Sequence, residues 1–394
     1  MKNIALIIPG FNNAESVERL NSIYEKLSEK YEIEIFSFDG EVPEKYLKNT
    51  TSFDIADGNG GFFGKYISLI KKVFALRRAS KEKNIKFLFS LSEKTNLQVL
   101  YSFLPVKKAI VYDSEAEFCG NIKKITSAFC KSDAILLSSE LLKNKFDERF
   151  PAFSERTYVI HHPVNLELAE ENAKVPLEEE YSKFFREHKV ISVAGPFVKE
   201  KCQSDILKSF EYLKKTFHDV GLVFLGGGGP LRDEIHAMAQ KSKYAVDILF
   251  IENNENYQRY LAASSVFVQA SLEETTGKGI MEAMELKVPV VATDSGAFST
   301  ELLINEYNPE YKCDNMTFAD NGVLVPHFDG EPDFDYNIIN EHHIDLSNAI
   351  KALLHSKIIA DETVKRAYKS LENYSTDKTL RRYVEFVDKL YLCL

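Results

Sequence analysis

Cysteine is scarce in this chain and carries no paired spacing: Cys119, Cys130, Cys202, Cys313 and Cys393 are five in 394 residues, an odd number. That excludes a disulfide framework and a thiolate zinc site, and it reads as a reduced, cytoplasmic protein. Long apolar runs are missing too. No stretch approaches the roughly 20 residues of a membrane-spanning helix. Met1-Lys2-Asn3 leads straight into a strand, so no signal peptide is expected. Gly277-Lys278 lacks the preceding glycine and following hydroxyl of a phosphate-binding P-loop. Asp329, Glu331, Asp333 and Asp335 alternate like a calcium loop without its glycine and terminal glutamate. There is no nucleophile elbow. Basic residues are in deficit, 49 against 59 acidic for a net charge of −10, which argues against a general nucleic-acid binder.

The length favours two domains over one core. Short apolar runs alternate with helical patterns in both halves. In the first they are Ile4–Ile8, Ile33–Phe38, Ile85–Leu91, Ala109–Tyr112, Ala134–Leu137 and Tyr158–Ile160. In the second they are Val190–Val193, Leu222–Leu225, Ile248–Ile251, Val266–Gln269 and Val288–Ala292. Such alternation means parallel sheets with helices on both faces. The blocks meet at His161-His162-Pro163-Val164-Asn165. Proline and a change of composition make this a boundary between a domain of residues 1–163 and one of residues 164–376. The paired histidines are either functional or cap a strand end. Residues 377–394 form a last helix with apolar positions at Leu380, Tyr383, Val384, Val387, Leu390 and Tyr391. Charge divides unevenly: residues 1–165 carry +3 and the remainder −13.

The segment 265–292 concentrates the chemistry. A buried strand delivers the chain to an acidic, glycine-containing loop, a helix runs from about Lys278 to Leu286, and a second strand follows. Glu274 lies in the loop and Glu282 in the helix, eight positions on. The first N–H groups of a helix have no intrahelical partner and point towards the loop before it. Amides and the helix dipole suit phosphate, and two carboxylates suit hydroxyls, so the combination suits a nucleotide-sugar. Upstream, the tetraglycine Gly226–Gly229 follows a strand and precedes Pro230. It serves either as a tight turn or, at Gly228, as a close approach to a nucleotide. It lacks the spaced third glycine of a dinucleotide fingerprint.

Glu274-x7-Glu282 with Ala283-Met284 and Val288-Pro289-Val290-Val291-Ala292-Thr293-Asp294 resembles the donor-site signature of retaining GT-B glycosyltransferases of family four. The resemblance extends through Gly227-Gly228-Gly229-Pro230-Leu231 and Asn321-Gly322-Val323-Leu324-Val325-Pro326. It is strong over residues 190–326 and weak over the first 160. It implies a GT-B fold, two Rossmann-like doubly wound domains facing a central cleft, with the last helix crossing back to the first domain. It also implies that Glu282 binds the donor ribose and Glu274 the transferred sugar. Backbone amides of Thr276, Gly277, Lys278 and Gly279 would face the sugar and pyrophosphate, the two glycines leaving room that a Cβ would fill. Lys278 is an added cation or a helix-start lysine facing solvent. The activity implied is transfer of a hexose from a nucleotide-sugar, as a uridine diphosphate sugar, to a glycan or lipid-linked acceptor with retention. The setting implied is bacterial surface-polysaccharide assembly at the inner membrane face. No cofactor or metal is expected; Asp333-Phe334-Asp335 resembles the metal motif of the other glycosyltransferase fold but lies in an acidic loop with no strand before it.

Three departures bear on activity. In Gly195-Pro196-Phe197-Val198-Lys199-Glu200-Lys201-Cys202, Lys201 matches the family's lysine, Pro196 replaces its arginine and Cys202 its glycine. Loss of a charge-assisted contact of roughly 1.5–3 kcal/mol would weaken phosphate stabilisation about ten- to a hundredfold, with Lys199 as the substitute cation. The family's N-terminal glycine loop is here Gly10-Phe11-Asn12-Asn13-Ala14-Glu15, where Asn12 and Asn13 could keep a left-handed backbone. A family histidine is absent from Tyr112-Asp113-Ser114-Glu115-Ala116-Glu117; Asp113 and Glu115 either contact an acceptor hydroxyl or cap the next helix. These departures keep open a degenerate GT-B protein acting as a stabilising or targeting partner. A sugar-nucleotide epimerase on the same fold would need acid–base residues that have no evident place. Finally, residues 62–86 set eight cations, from Lys65 to Lys86, among Phe62, Phe63, Ile67, Ile70 and Phe74. This is either a helix for an anionic membrane or a core helix with a solvated face.

Overall fold

The short apolar runs become parallel strands because both of their faces are covered. The computed structural model describes residues 3–392 apart from 56–60, 115–117, 119–121, 253–255, 273, 275, 296–297, 307 and 309, with backbone alone at 14–15, 61–62, 122–125 and 392. The chain divides into one unit of Met1–Pro163 with Thr376–Leu394 and another of Val164–Ser375.

In the first unit the strands are β1 (Asn3–Ile8), β2 (Glu32–Ser37), β3 (Thr50–Ser52), β4 (Phe87–Ser90), β5 (Lys107–Tyr112), β6 (Ala134–Leu137) and β7 (Thr157–Val159). They form a parallel sheet in the order β3-β2-β1-β4-β5-β6-β7. Its helices are α1 (Ala14–Ser28), α2 (Gly61–Glu82), α3 (Glu93–Leu100), α4 (Ile122–Phe129) and α5 (Glu140–Arg149). Along β1 the side chains alternate between two cores, as a strand's period of two requires. Ile4, Leu6 and Ile8 join Leu20, Ile23 and Leu27 of α1. Ala5 and Ile7 join Leu76 of α2 and Val99 and Leu100 of α3.

In the second unit the strands are β8 (Lys189–Ala194), β9 (Val220–Leu225), β10 (Ile248–Ile251), β11 (Val266–Gln269), β12 (Val290–Thr293), β13 (Thr317–Phe318) and β14 (Val323–Val325). Their order is β10-β9-β8-β11-β12-β14-β13, and β13 is antiparallel to β14. The helices are α6 (Leu166–Ala173), α7 (Glu179–Glu187), α8 (Gln203–Lys214), α9 (Arg232–Lys241), α10 (Gln258–Ala262), α11 (Lys278–Glu285), α12 (Phe298–Leu303), α13 (Glu341–His355) and α14 (Lys357–Ser370). Leu222 and Phe224 of β9 enter one core, Val223 and Leu225 the other. The last helix, α15 (Thr376–Leu392), buries Tyr383, Phe386, Val387, Leu390 and Tyr391 in the core of β1 and α1.

Both units are thus Rossmann-like and doubly wound. The strand order reverses between β1 and β4 in one sheet and between β8 and β11 in the other. Ligands of open α/β sheets bind outside the carboxyl ends of the strands at such a switch point. Three strands fall outside the sequence expectation. β3 and β13 are edge strands of three and two residues with no apolar run to announce them. β14 is apolar and buried, but has only three residues.

Candidate functional site

At the switch point of the second sheet, the loops leaving β8 and β11 are tied together: the Leu272 amide donates to the Glu200 carbonyl at 2.9 Å. In the first loop Lys199–Lys201 makes a single 3-10 turn, closed by Cys202 at φ 47° and ψ 39°. This left-handed backbone falls where the resembling pattern has glycine, the residue that adopts it without a Cβ penalty. Cys202 holds the turn from within the core. Burial pushes its thiol up to about 12, so it packs and does not act as a nucleophile.

The turn aims Lys201 at the second loop. Its stem passes Gly195, where an added Cβ would stand 3.5 Å from Lys201 Cε. Its ammonium donates to Glu274 Oε2 at 2.7 Å and to Ser271 Oγ at 3.2 Å. Glu274 is only 8% exposed, and further donors surround it. Gln269 Nε2 lies 2.8 Å and Ser271 Oγ 3.4 Å from Oε2, and Thr276 Oγ1 lies 3.3 Å from Oε1. A buried carboxylate needs such partners. Sequence reasoning missed Gln269 and Ser271. The available signal was Gln269, a lone polar residue closing the apolar run Val266–Val268.

The glycines of the second loop correct their expected role. Gly277 caps α11 at φ 60°, and an added Cβ would meet Leu302 Cδ1 at 2.5 Å and Phe298 Cδ1 at 2.9 Å. At Gly279 the Cβ would meet Phe267 Cζ at 2.9 Å and Gln269 Oε1 at 3.2 Å. Protein, not open space for a ligand, fills both vacancies. Gly228 differs: its φ is 74° and, among the described residues, nothing lies within 4 Å of an added Cβ. Of the four amides expected to face a ligand, that of Lys278 donates to Thr276 Oγ1 at 3.3 Å.

Glu282 lies within α11 and is 2% exposed. The Tyr257 hydroxyl donates to its Oε2 and Gln258 Nε2 to its Oε1, the latter at 3.1 Å. Neither partner has a spacing signature. Lys199, expected as a substitute phosphate cation, pairs instead with Glu331 at 3.2 Å, both side chains being exposed. The Pro196 carbonyl accepts Gln203 Nε2 at 2.7 Å. Among the described residues no group of His, Cys, Asp or Glu side chains is arranged to hold a metal ion.

In the first unit, Asn13 has an extended backbone at φ −92°, and its side chain caps α1 by accepting from the Ser16 amide. Neither it nor Asn12 has positive φ, so the expected left-handed loop is not used. Asp113 follows β5 and is buried. It accepts from Arg19 Nη2 at 2.8 and 3.0 Å, and His162 Nε2 lies 3.0 Å from Oδ1. Burial opposes its ionisation, but Arg19 and His162 outweigh it and hold the carboxyl well below the usual range. Asp113 is therefore committed to an internal ion cluster, and His162 joins that cluster; the residues that Asp113 would cap lie outside those described. Glu115 lies outside the described residues. His161 Nδ1 meets the Ser138 carbonyl at 2.8 Å just past β6, and burial lowers its pKa to about 4, leaving a neutral ring that ties strand ends together.

On α2 the exposed side chains include Phe63, Tyr66, Ile67, Ile70 and Phe74, with Lys65, Lys71, Arg78 and Lys81 also exposed. Lys72 is buried, its ammonium 5.3 Å from the centre of the Phe38 ring. The Phe62 side chain lies outside those described. Among the described residues no helix is long and apolar enough to cross a membrane.

Residues 177–315 match the family Glycosyl transferases group 1. An uncharacterised glycosyltransferase of Methanocaldococcus jannaschii is 24% identical over 237 residues, 60% of this chain and 58% of that protein. The chain thus aligns with little more than half of that relative's length. An alpha-1,4-N-acetyl-D-galactosaminyltransferase of Campylobacter jejuni, whose name specifies an undecaprenol-PP-linked saccharide, is 21% identical over 73% of this chain and 78% of its own. Among solved structures, Anabaena HepE in complex with UDP aligns over 99% of this chain and 100% of its own, with a TM-score of 0.74 and 14% identity. That likeness is of fold, and the fold is GT-B.

Proposed function

We propose that this chain, a member of the glycosyl transferases group 1 family through residues 177–315, moves a hexose from a uridine diphosphate sugar to a glycan or lipid-linked acceptor with retention. The observation that carries the proposal is the meeting of Lys201 with Glu274 at 2.7 Å beside the start of α11, at a switch point of the sheet. The ammonium stands where it can be shared with a leaving diphosphate, and the amino end of α11 adds its dipole. Glu274 supplies a fixed negative charge beside an oxocarbenium-like transition state and accepts sugar hydroxyls. Glu282 takes the ribose. With these groups around the diphosphate, transfer needs no divalent ion.

The acceptor meets the first unit, where Asn12 is the remaining candidate on the loop after β1. The exposed aromatic and basic side chains of α2 rest on an anionic membrane surface, at the inner membrane face in surface-polysaccharide assembly. The UDP complex of the Anabaena structure and the undecaprenol-PP-linked acceptor of the Campylobacter relative support this setting. One observation favours a second reading, a degenerate protein that stabilises or targets a partner: residue 196 is a proline, which supplies no charge, and its carbonyl is taken by Gln203.

Glu274→Ala should lower turnover more than nucleotide affinity, and Glu282→Ala should weaken nucleotide binding, as read by calorimetry with uridine diphosphate and by sugar release. Turnover abolished by a chelator and restored by manganese or magnesium would contradict the site.

A further inference from the structure

Glu282 is nearly sealed from solvent, at 2% exposure. The Tyr257 hydroxyl sits on Oε2 and the Gln258 amide on Oε1, while Asn172 Nδ2 holds Gln258 Oε1 at 3.2 Å. Gln258 is buried and fixed from behind. Tyr257 is only partly buried, at the edge of the core that contains α11 and β12. Of the two side chains on the carboxylate, the phenol is the less buried.

A buried carboxylate without donors is costly, so some hydroxyl must stay on Oε2 in the free protein. On the reading above, the donor's ribose brings its hydroxyls to this same carboxylate, which it cannot reach while the phenol covers it. We propose that Tyr257 is the gate of the donor site: its hydroxyl occupies the ribose position in the free protein and is displaced by the ribose when a nucleoside diphosphate binds. The inference rests on the ribose role of Glu282. Binding then exchanges one hydroxyl for another on Oε2, and only the second ribose hydroxyl adds a contact. The gate keeps Glu282 satisfied in the free protein and makes the site select ribose over sugars unable to replace the phenol.

Tyr257→Phe separates the gate from a supporting role. The variant keeps the ring and removes the competing hydroxyl, so the free state loses a charge-assisted hydrogen bond that the ribose-bound state does not use. Calorimetry on the full chain should find uridine diphosphate bound about tenfold tighter by the variant than by wild type. Its 2′,3′-dideoxy analogue should show no such gain. The melting temperature of the free variant should fall and that of the nucleotide-saturated variant should match wild type. If the variant binds both nucleotides as wild type does, or more weakly, the gate is overturned. In that event wild type decides the underlying reading: a preference for the ribose form keeps the role of Glu282, and equal binding of both forms removes it as well.

Discussion

Gly277 and Gly228 look alike in sequence, and the structure gives them different work. At Gly277 an alanine would hold φ near 60°, which costs roughly 1–2 kcal/mol for a residue with a Cβ. Its Cβ would also stand 2.5 Å from Leu302 Cδ1 and 2.9 Å from Phe298 Cδ1, both on fully buried side chains with no room to retreat. Overpacking of this kind adds about 1–3 kcal/mol, so Gly277→Ala should lose about 2–5 kcal/mol of stability. Gly228→Ala meets the same backbone strain and, among the described residues, no neighbour within 4 Å, so its loss should stay at about 1–2 kcal/mol. On the proposed function the nucleotide enters the open space at Gly228, and there the alanine should cut uridine diphosphate affinity. Urea unfolding followed by circular dichroism, with calorimetry on the folded fraction, measures both quantities. A stable Gly277→Ala that fails to bind nucleotide, beside an unstable Gly228→Ala that binds normally, would refute the assignment.

Two further outcomes follow from the first unit. Burial lowers the His161 pKa from 6.5 to about 4, so the unfolded chain binds the extra proton. The associated stability, about 3 kcal/mol, is present above pH about 6.5 and lost as pH falls towards 4. His161→Gln should flatten that slope in thermal melts across this window, and an unchanged slope would remove His161 as its source. On α2, replacing Lys65, Lys71, Arg78 and Lys81 by Glu should abolish sedimentation with anionic vesicles, and added salt should weaken it in wild type; binding that survives the four substitutions makes the helix a solvated face.

The sequence made the strands legible where both faces are buried: β6 and β11 run over the residues that their apolar runs mark. Edge strands as short as β13 escaped because pairing with β14 defines them, and pairing is not local. The spacing of Glu274 and Glu282 marked the two carboxylates but not their environment. Whether Tyr257, Gln258, Gln269 and Ser271 converge on them depends on where α10 and β11 pack, which no short window of sequence encodes. The glycines of α11 were misread for a related reason. A missing Cβ leaves a vacancy that ligand or protein can fill, and only the positions of Leu302, Phe298 and Phe267 decide which. Lys199 and Lys201 stand two residues apart, yet one 3-10 turn sends the first to Glu331 and the second to Glu274.

The most direct test of the account is sugar release from a panel of uridine diphosphate sugars, with a glycan or lipid-linked acceptor supplied, wild type beside Lys201→Ala. Removing one preorganised charge stabiliser costs on the order of 10²–10³ in rate, so at least one donor should turn over in wild type and fall by that factor in the variant. Wild-type turnover that Lys201→Ala leaves unchanged would contradict the placement of the diphosphate on Lys201, and wild-type silence across the panel would favour the non-catalytic partner.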